Sequence, residues 1–348
     1  MNRALAKLKS SMAEKGIDAV LVTNLKNVFY LSGFTGSSAY LVIDKDNNYI
    51  FTDFRYIQQA NEQCEDFSVI DIKETDKCDS ICESYKSCGF EDVNISLSLF
   101  NKFRKKFKSL YPIGQMIYDI RKIKTENEIS LIKKAQEITD KAYSHILKFA
   151  KCGMTEREIA LELEFFMRKN GASAVSFDII CASGERGALP HACPTDKKLT
   201  EGELVVLDFG CVYDGYMSDM TRTFAVGDVS DEIKDVYDTV LKAQTEALKV
   251  IAPGKMCSDI HRVAENVINE KYPGTFGHGL GHSVGIEIHE GPSFSPKCEE
   301  IICPGNVITV EPGIYIPHKV GVRIEDMVVI TEDGYENITK SSKELIYI

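Results

Sequence analysis

Four acidic residues lie inside apolar, strand-like runs of this chain, and they restrict what it can fold into. Asp208 follows Val205-Val206-Leu207, and Asp219 leads into Met220-Thr221-Arg222-Thr223. Glu311 follows Ile308-Thr309-Val310, and Glu325 follows Val322-Arg323-Ile324. Runs of this kind become buried strands, and a buried carboxylate is unstable unless something cationic compensates it. Between the two pairs lies Gly277-His278-Gly279-Leu280-Gly281-His282. The pattern predicts a metal site.

The first pair has a testable geometry. Asp214-Gly215 is a two-residue turn signal between β-rich runs. With that loop, Tyr213 faces Tyr216, Asp208 faces Thr221, and Asp219 lies two residues further along the partner strand. Side chains two apart share a face, so the carboxylates become diagonal neighbours with Cα atoms roughly 7–8 Å apart. The second pair is less constrained. Runs 307–316 and 322–330 are joined by Pro317-His318-Lys319-Val320-Gly321. Pairing Ile316 with Val322 would again place Glu311 and Glu325 on one face. Two such hairpins predict a pseudo-symmetric clamp with a histidine between.

Four carboxylates and one imidazole suit two divalent ions; Mn²⁺ and Co²⁺ tolerate mixed oxygen and nitrogen donors, and Zn²⁺ is compatible. Surface charge explains any single acid of this kind, but not four that each adjoin an apolar run. Spacing does not choose between His278 and His282 as the nitrogen donor. Other chemistries lack their residues. No Gly-x-Ser-x-Gly elbow is present, and His289-Glu290-Gly291-Pro292 cannot form a His-Glu-x-x-His helix. The glycines around His278 lack dinucleotide-loop spacing and are expected to let backbone approach the metals.

The 348 residues exceed one comfortable core and predict two domains. A formal charge of −11 argues against a nucleic-acid partner. The basic run Lys102, Arg104, Lys105, Lys106 and Lys108 interleaves with Phe100, Phe103, Phe107 and Leu110, which predicts one solvated helix face. Eleven cysteines without a Cys-x-x-Cys pair fit reduced thiols, hence the cytoplasm. Residues 1–16 read as an amphipathic helix, and no run is long enough to span a membrane. Ala19-Val20-Leu21-Val22, Tyr40-Leu41-Val42-Ile43 and Tyr49-Ile50-Phe51-Thr52 predict buried strands, and 54–63 a helix. Thr125 with Glu128, and Thr155 with Glu158, have capping-box spacing at the starts of two helices. His145, His261 and His318 carry no motif and are expected to be structural.

From about Arg121 onward the chain resembles the metal-dependent peptidase family that contains methionine aminopeptidase, prolidase and aminopeptidase P. The resemblance rests on Ala188-Leu189-Pro190-His191, the Asp208/Asp219 hairpin, the segment from His278 to His289, Glu311-Pro312-Gly313 and Val322-Arg323-Ile324-Glu325-Asp326. It implies an α/β (α+β) chain. An N-terminal creatinase/prolidase-like α/β domain (1–120) would cap the cleft of a C-terminal pita-bread metallopeptidase domain (121–348). It implies Asp208, Asp219, His282, Glu311 and Glu325 as metal ligands, because the family's liganding histidine lies seven residues before the histidine of a His-Glu-x-Pro segment. Asp219 and Glu325 would bridge both ions, Asp208 would complete one, and His282 with Glu311 the other. His191, His278 and His289 would line the substrate cleft. Glu311 would accept the water proton, while Arg323 would hold a bridging carboxylate or contact substrate, or simply pair with Asp219 or Glu325.

The implied reaction is hydrolysis of the bond between an N-terminal residue and proline, by a hydroxide bridging two divalent metals, most simply Mn²⁺. Expected partners are small peptides with proline second and a second copy of the chain, with no nucleic acid and no membrane. Leu189-Pro190-His191 and the compact length favour a dipeptidase. Phe34-Thr35-Gly36-Ser37 and Thr52-Asp53-Phe54-Arg55-Tyr56 favour an aminopeptidase acting on longer peptides. A non-catalytic peptide-binding protein or a creatinase-like hydrolase would be expected to lack ligands that are all present here.

Overall fold

The computed structural model describes residues 3–348, which form two compact units, Met1–Arg121 and Lys122–Ile348. In the first, six strands form one mixed sheet in the order Ser68–Asp71, Asn48–Thr52, Ala39–Asp44, Ala19–Val22, Cys88–Phe90 and Leu110–Pro112. The central strands are buried on both faces, which is why they read as unbroken apolar runs. Val20, Val22, Leu41 and Ile43 enter one core with Leu5, Leu8 and Met12 of the helix Arg3–Lys15. Ala19, Leu21, Val42 and Phe51 enter the opposite core with Phe103 and Phe107.

Two expectations for this unit need correction. The helix predicted over 54–63 begins only at Ile57. Asp53 accepts from the Arg55 backbone N–H at 3.1 Å, and Tyr56 N–H donates to Asp53 O at 2.9 Å, so a turn precedes the helix. Phe54 is left 67% exposed there. The basic run is not one helix either. The helix Leu97–Phe103 ends within it, and turns carry Phe107 into the same core as Phe103. The phenylalanine spacing therefore records burial rather than continuous helix.

The second unit has two acid-bearing hairpins, each backed by a helix pair. Glu126–Phe149 and Glu156–Lys169 both open on the expected capping boxes, Thr125 with Glu128 and Thr155 with Glu158. They pack on the sheet of Met220–Val226, Glu203–Phe209 and Ile180–Ser183 through Ile138, Ile146, Leu163, Leu207 and Phe224. Asp231–Val250 and Cys257–Asn269 pack on a five-stranded sheet that includes Gly281–Ser283, Val307–Val310 and Asp326–Ile330.

Both hairpin registers can be compared with expectation. Tyr213 pairs with Tyr216 and Asp208 with Thr221, as predicted. Asp214 and Gly215 both have positive φ, 46° and 84°, the conformation a two-residue turn requires. The second hairpin differs: Ile316 pairs with Val320, not Val322. His318 takes φ 58° and Lys319 N–H donates to Ile316 O at 3.1 Å, closing a three-residue loop. A two-residue shift preserves facing, so the shared face of the acids survives the error. Two glycines are required where the chains crowd. A Cβ at Gly210 would lie 1.9 Å from Ser218 O, and one at Gly281 would lie 1.9 Å from Thr309 O. Close approach at Gly281 is thus between neighbouring strands, whereas the sequence suggested approach to metal.

Candidate metal centre

A strand end places Asp208, and ladder breaks place the other three acids. Asp208 is near the end of Glu203–Phe209, and Asp219 directly precedes Met220–Val226. Glu311 occupies the gap between Val307–Val310 and Gly313–Ile316, and Glu325 the gap between Val320–Arg323 and Asp326–Ile330. A residue just outside a ladder can turn its side chain to a common centre without breaking strand pairing. All four acids line one cleft of about 860 Å³ together with His191, His278, His282, His289 and Arg323.

The groups converge closely. Asp219, His282 and Glu325 each offer a ligand atom within 4.8 Å of the others. His282 Nε2 is 3.5 Å from Asp219 Oδ2 and 3.4 Å from Glu311 Oε1. Its Nδ1 faces Ser283 O at 3.2 Å, so the proton belongs on Nδ1 and Nε2 keeps its lone pair toward the acids. His278 differs. Its Nδ1 lies 2.8 Å from Gly279 O and its Nε2 2.9 Å from Tyr315 OH, which commits both nitrogens. His289 stands edge-on to His282 with ring centroids 4.5 Å apart. Like His191, it is exposed to the cleft and has no hydrogen bond among the described residues.

The charge balance of the cleft is adverse as it stands. Burial, then Glu325, Asp208 and Glu311, raise the Asp219 carboxyl well above its ordinary value. Burial, then Glu311 and Asp208, do the same to Glu325. Burial also lifts Glu311, against the pull of Arg323 and with Asp208 adding to the rise, to about 7. Asp208 Oδ1 and Glu325 Oε1 are buried without a hydrogen-bond partner. Orphaned acceptors and mutually repelling acids call for compensating cations. The donor set of carboxylate oxygens and one imidazole nitrogen fits divalent metal.

Several contacts that support this cluster were not legible in the sequence. Thr221 Oγ1 donates to Glu325 Oε2 at 2.8 Å, and Thr309 Oγ1 donates to Glu311 Oε1 at 3.1 Å. Arg323 donates to Asp208 Oδ2 at 2.5 Å, Tyr315 OH at 2.8 Å and Thr221 Oγ1 at 2.9 Å. Its carboxylate partner is therefore Asp208, not Asp219 or Glu325. Arg222 is fully buried against Asp326 at 2.7 Å and also donates to Glu325 O. His261, expected to be structural, accepts the Leu280 N–H at 3.2 Å and so supports the loop between His278 and His282. Alternation marks Thr221 and Thr309, each two residues from an acid of the site, as same-face neighbours. No local signal marks Tyr315 or Arg222.

Comparison with known proteins agrees with this architecture. Residues 130–332 match the model of metallopeptidase family M24, and 5–123 match the creatinase/prolidase N-terminal domain. The chain is 39% identical to an Xaa-Pro dipeptidase from Pyrococcus furiosus, over 99% of this chain and 100% of that one. The solved Xaa-Pro dipeptidase from Bacillus anthracis superposes with a TM-score of 0.95 at 40% identity, covering 99% of each chain. An X-Pro aminopeptidase from Thermotoga maritima superposes at 0.92 with 39% identity, covering 100% of each. Acids carried by two hairpins and a histidine from the strand Gly281–Ser283 are thus set in a fold shared along its whole length with these enzymes, and the chain belongs to metallopeptidase family M24, its catalytic domain preceded by a creatinase/prolidase N-terminal domain.

Proposed function

We propose that the chain hydrolyses the peptide bond between an N-terminal residue and proline, as an Xaa-Pro dipeptidase. The observation that carries this is the convergence of Asp208, Asp219, His282, Glu311 and Glu325 in a cleft that also presents the unbonded rings of His191 and His289. Those five residues would hold two divalent ions, Mn²⁺ or Co²⁺ by donor type with Zn²⁺ compatible. Such a pair supplies an activated water and polarises the scissile carbonyl.

The chain's own residues do the rest. Glu311 is half-buried at the centre of the cleft, 3.4 Å from His282 Nε2, a position that suits it to take a proton and return it to the leaving proline nitrogen. That nitrogen carries no hydrogen in the peptide, so it needs a proton delivered on cleavage. His191 and His289 donate hydrogen bonds to the carbonyl oxygen as its charge develops. Arg323 holds Asp208, and Tyr315 holds both Arg323 and His278. Burial and Arg323 lower His278 to about 4, which keeps its ring neutral beside that guanidinium.

The histidine roles separate experimentally. His282→Ala lowers the metal content of the purified protein. His289→Ala keeps both metals and loses about 10²–10³ in kcat, as expected when one donor to a developing oxyanion is removed. Metal analysis of the two variants checks this, and equal metal loss in both would mean that His282 is misassigned.

A second reading, removal of the N-terminal residue from longer Xaa-Pro peptides, draws on one feature of the cleft. Among the described residues its only guanidinium is Arg323, whose nitrogens are committed to Asp208, Tyr315 and Thr221, and no lysine lines it. A dipeptide's free carboxylate would have no unpaired cation to meet there. Cleavage rates on Ala-Pro, Ala-Pro-Ala and Ala-Ala decide between the readings. The dipeptidase cleaves Ala-Pro and barely touches Ala-Pro-Ala. Faster cleavage of the tripeptide selects the second reading, and comparable cleavage of Ala-Ala removes the proline assignment. The proposal extends to a homodimer, on the family resemblance, and to the cytoplasm. The latter agrees with eleven free cysteines and with the lack, among the described residues, of a helix long and apolar enough to cross a membrane.

A further inference from the structure

His191 reaches the cleft from a loop, and that loop is tied at its base by one buried carboxylate. The strand Ile180–Ser183 runs into a short 3₁₀ helix, Gly184–Ala188, then into Pro190, His191, Ala192 and Cys193 on the cleft wall. Glu156, at the start of the helix Glu156–Lys169, has 0% exposure. Its Oε1 accepts from Ser183 N at 2.8 Å and Ser183 Oγ at 3.0 Å. Its Oε2 accepts from Thr195 N at 3.0 Å and Thr195 Oγ1 at 2.8 Å. Arg186 Nε bridges both oxygens at 3.2 and 3.1 Å, and Arg186 Nη2 donates to Cys193 O at 2.7 Å. Burial works against the ionised carboxyl, but the donors of Ser183 and Thr195 outweigh it and hold Glu156 below the usual range.

The donors bracket the loop on both sides of His191, while the His191 ring has no hydrogen bond among the described residues to place it. Lys197 Nζ also donates to Ser183 Oγ at 2.7 Å, Arg157 N–H to Thr195 O at 3.1 Å and Arg323 to Pro190 O at 3.4 Å, but Glu156 is the one group here that ties both ends of the loop through five donors. We propose that Glu156 is a positioning residue for His191, setting the imidazole against the substrate carbonyl without touching substrate itself. This rests on the reading above in which His191 serves the reaction. Glu156 lies outside the metal cluster, so its loss leaves the acids in place and displaces only the loop. A misplacement of about 1 Å in a reacting group can cost roughly 10²-fold in rate.

The test is a double-mutant cycle on the metal-loaded full chain with Ala-Pro and Ala-Pro-Ala as substrates. Glu156→Gln keeps the shape but turns one acceptor into a donor that faces N–H groups. The expected loss is about 10²-fold in kcat with unchanged metal content. In a His191→Ala background the same substitution adds less than about twofold, because residues that act as a unit are not additive. Thr195→Val, which removes one of the five donors, gives a smaller loss that also vanishes in that background. It replaces Glu156→Gln if the latter fails to fold. Multiplicative losses, a wild-type kcat in Glu156→Gln or Thr195→Val, or a His191→Ala variant that retains full activity would each overturn the assignment. If the wild-type protein cleaves neither peptide, the failure lies instead with the peptidase reading.

Discussion

Chelator-treated protein, shown by metal analysis to be empty, does not turn over Ala-Pro, and added Mn²⁺ or Co²⁺ restores the activity. The loss is complete because the bound ions would supply both the activated water and the polarisation of the carbonyl, which mutually repelling acids alone do not provide. Removal also changes the pH dependence of stability, with a definite sign. Glu311 has a folded-state pKa of about 7, against roughly 4.3 for an unperturbed glutamate, and burial and the neighbouring acids also raise Asp219 and Glu325 well above their ordinary values. Between those values the folded metal-free protein binds more protons than the unfolded chain. Its stability therefore falls as pH rises from about 4.3 through neutrality. Bound cations take over the protons' role, so the gain in Tm on metal loading is larger at pH 7.5 than at pH 5. Calorimetry of empty and loaded protein at both pH values measures it. A gain that shrinks as pH rises would show that the acids are not neutralised by protons in the empty protein. Full turnover by metal-free protein would overturn the mechanism itself.

Glu311→Gln retains the fold and loses about 10²–10⁴ in kcat, the range expected when a positioned general base is removed. The substitution is isosteric, and the backbone bond from Glu311 N–H to Leu280 O at 2.7 Å is independent of the side chain. It also deletes one of four repelling charges. The metal-free variant is accordingly at least as stable as the metal-free wild type, a case of function held at the expense of stability. Measuring kcat and Tm on the same preparation separates this from simple unfolding. A wild-type kcat would refute the role of Glu311, and a sharply lowered Tm would show that Glu311 serves the fold instead.

The candidate site was legible to different depths in its two halves. Asp214-Gly215 is a local signal, so the register of the first hairpin, and the shared face of Asp208 and Asp219 with it, followed from neighbouring residues. Pro317-His318-Lys319 carries no glycine at the left-handed position. The tighter loop closed by His318 was therefore hidden, and the register was misread by two residues. In the first unit, Phe100, Phe103 and Phe107 looked like one helix, because burial by turns and burial by a helix leave the same spacing.

Residue types, strand alternation and helix caps are properties of short stretches, and the sequence by itself determined them. The four acids at the ends of apolar runs and the capping boxes of Thr125 and Thr155 belong to this class, as does the choice of oxygen and nitrogen donors for metal. The partnerships that orient those donors depend on which layers pack together, and only the tertiary structure decided them. Arg323 and Asp208 are 115 residues apart in the chain, Arg222 and Asp326 104, and Tyr315 and His278 37. No local periodicity encodes such distances. A buried guanidinium takes whichever carboxylate the packing brings within reach, and that packing set Arg323 on Asp208 and Glu156 beneath the loop of His191.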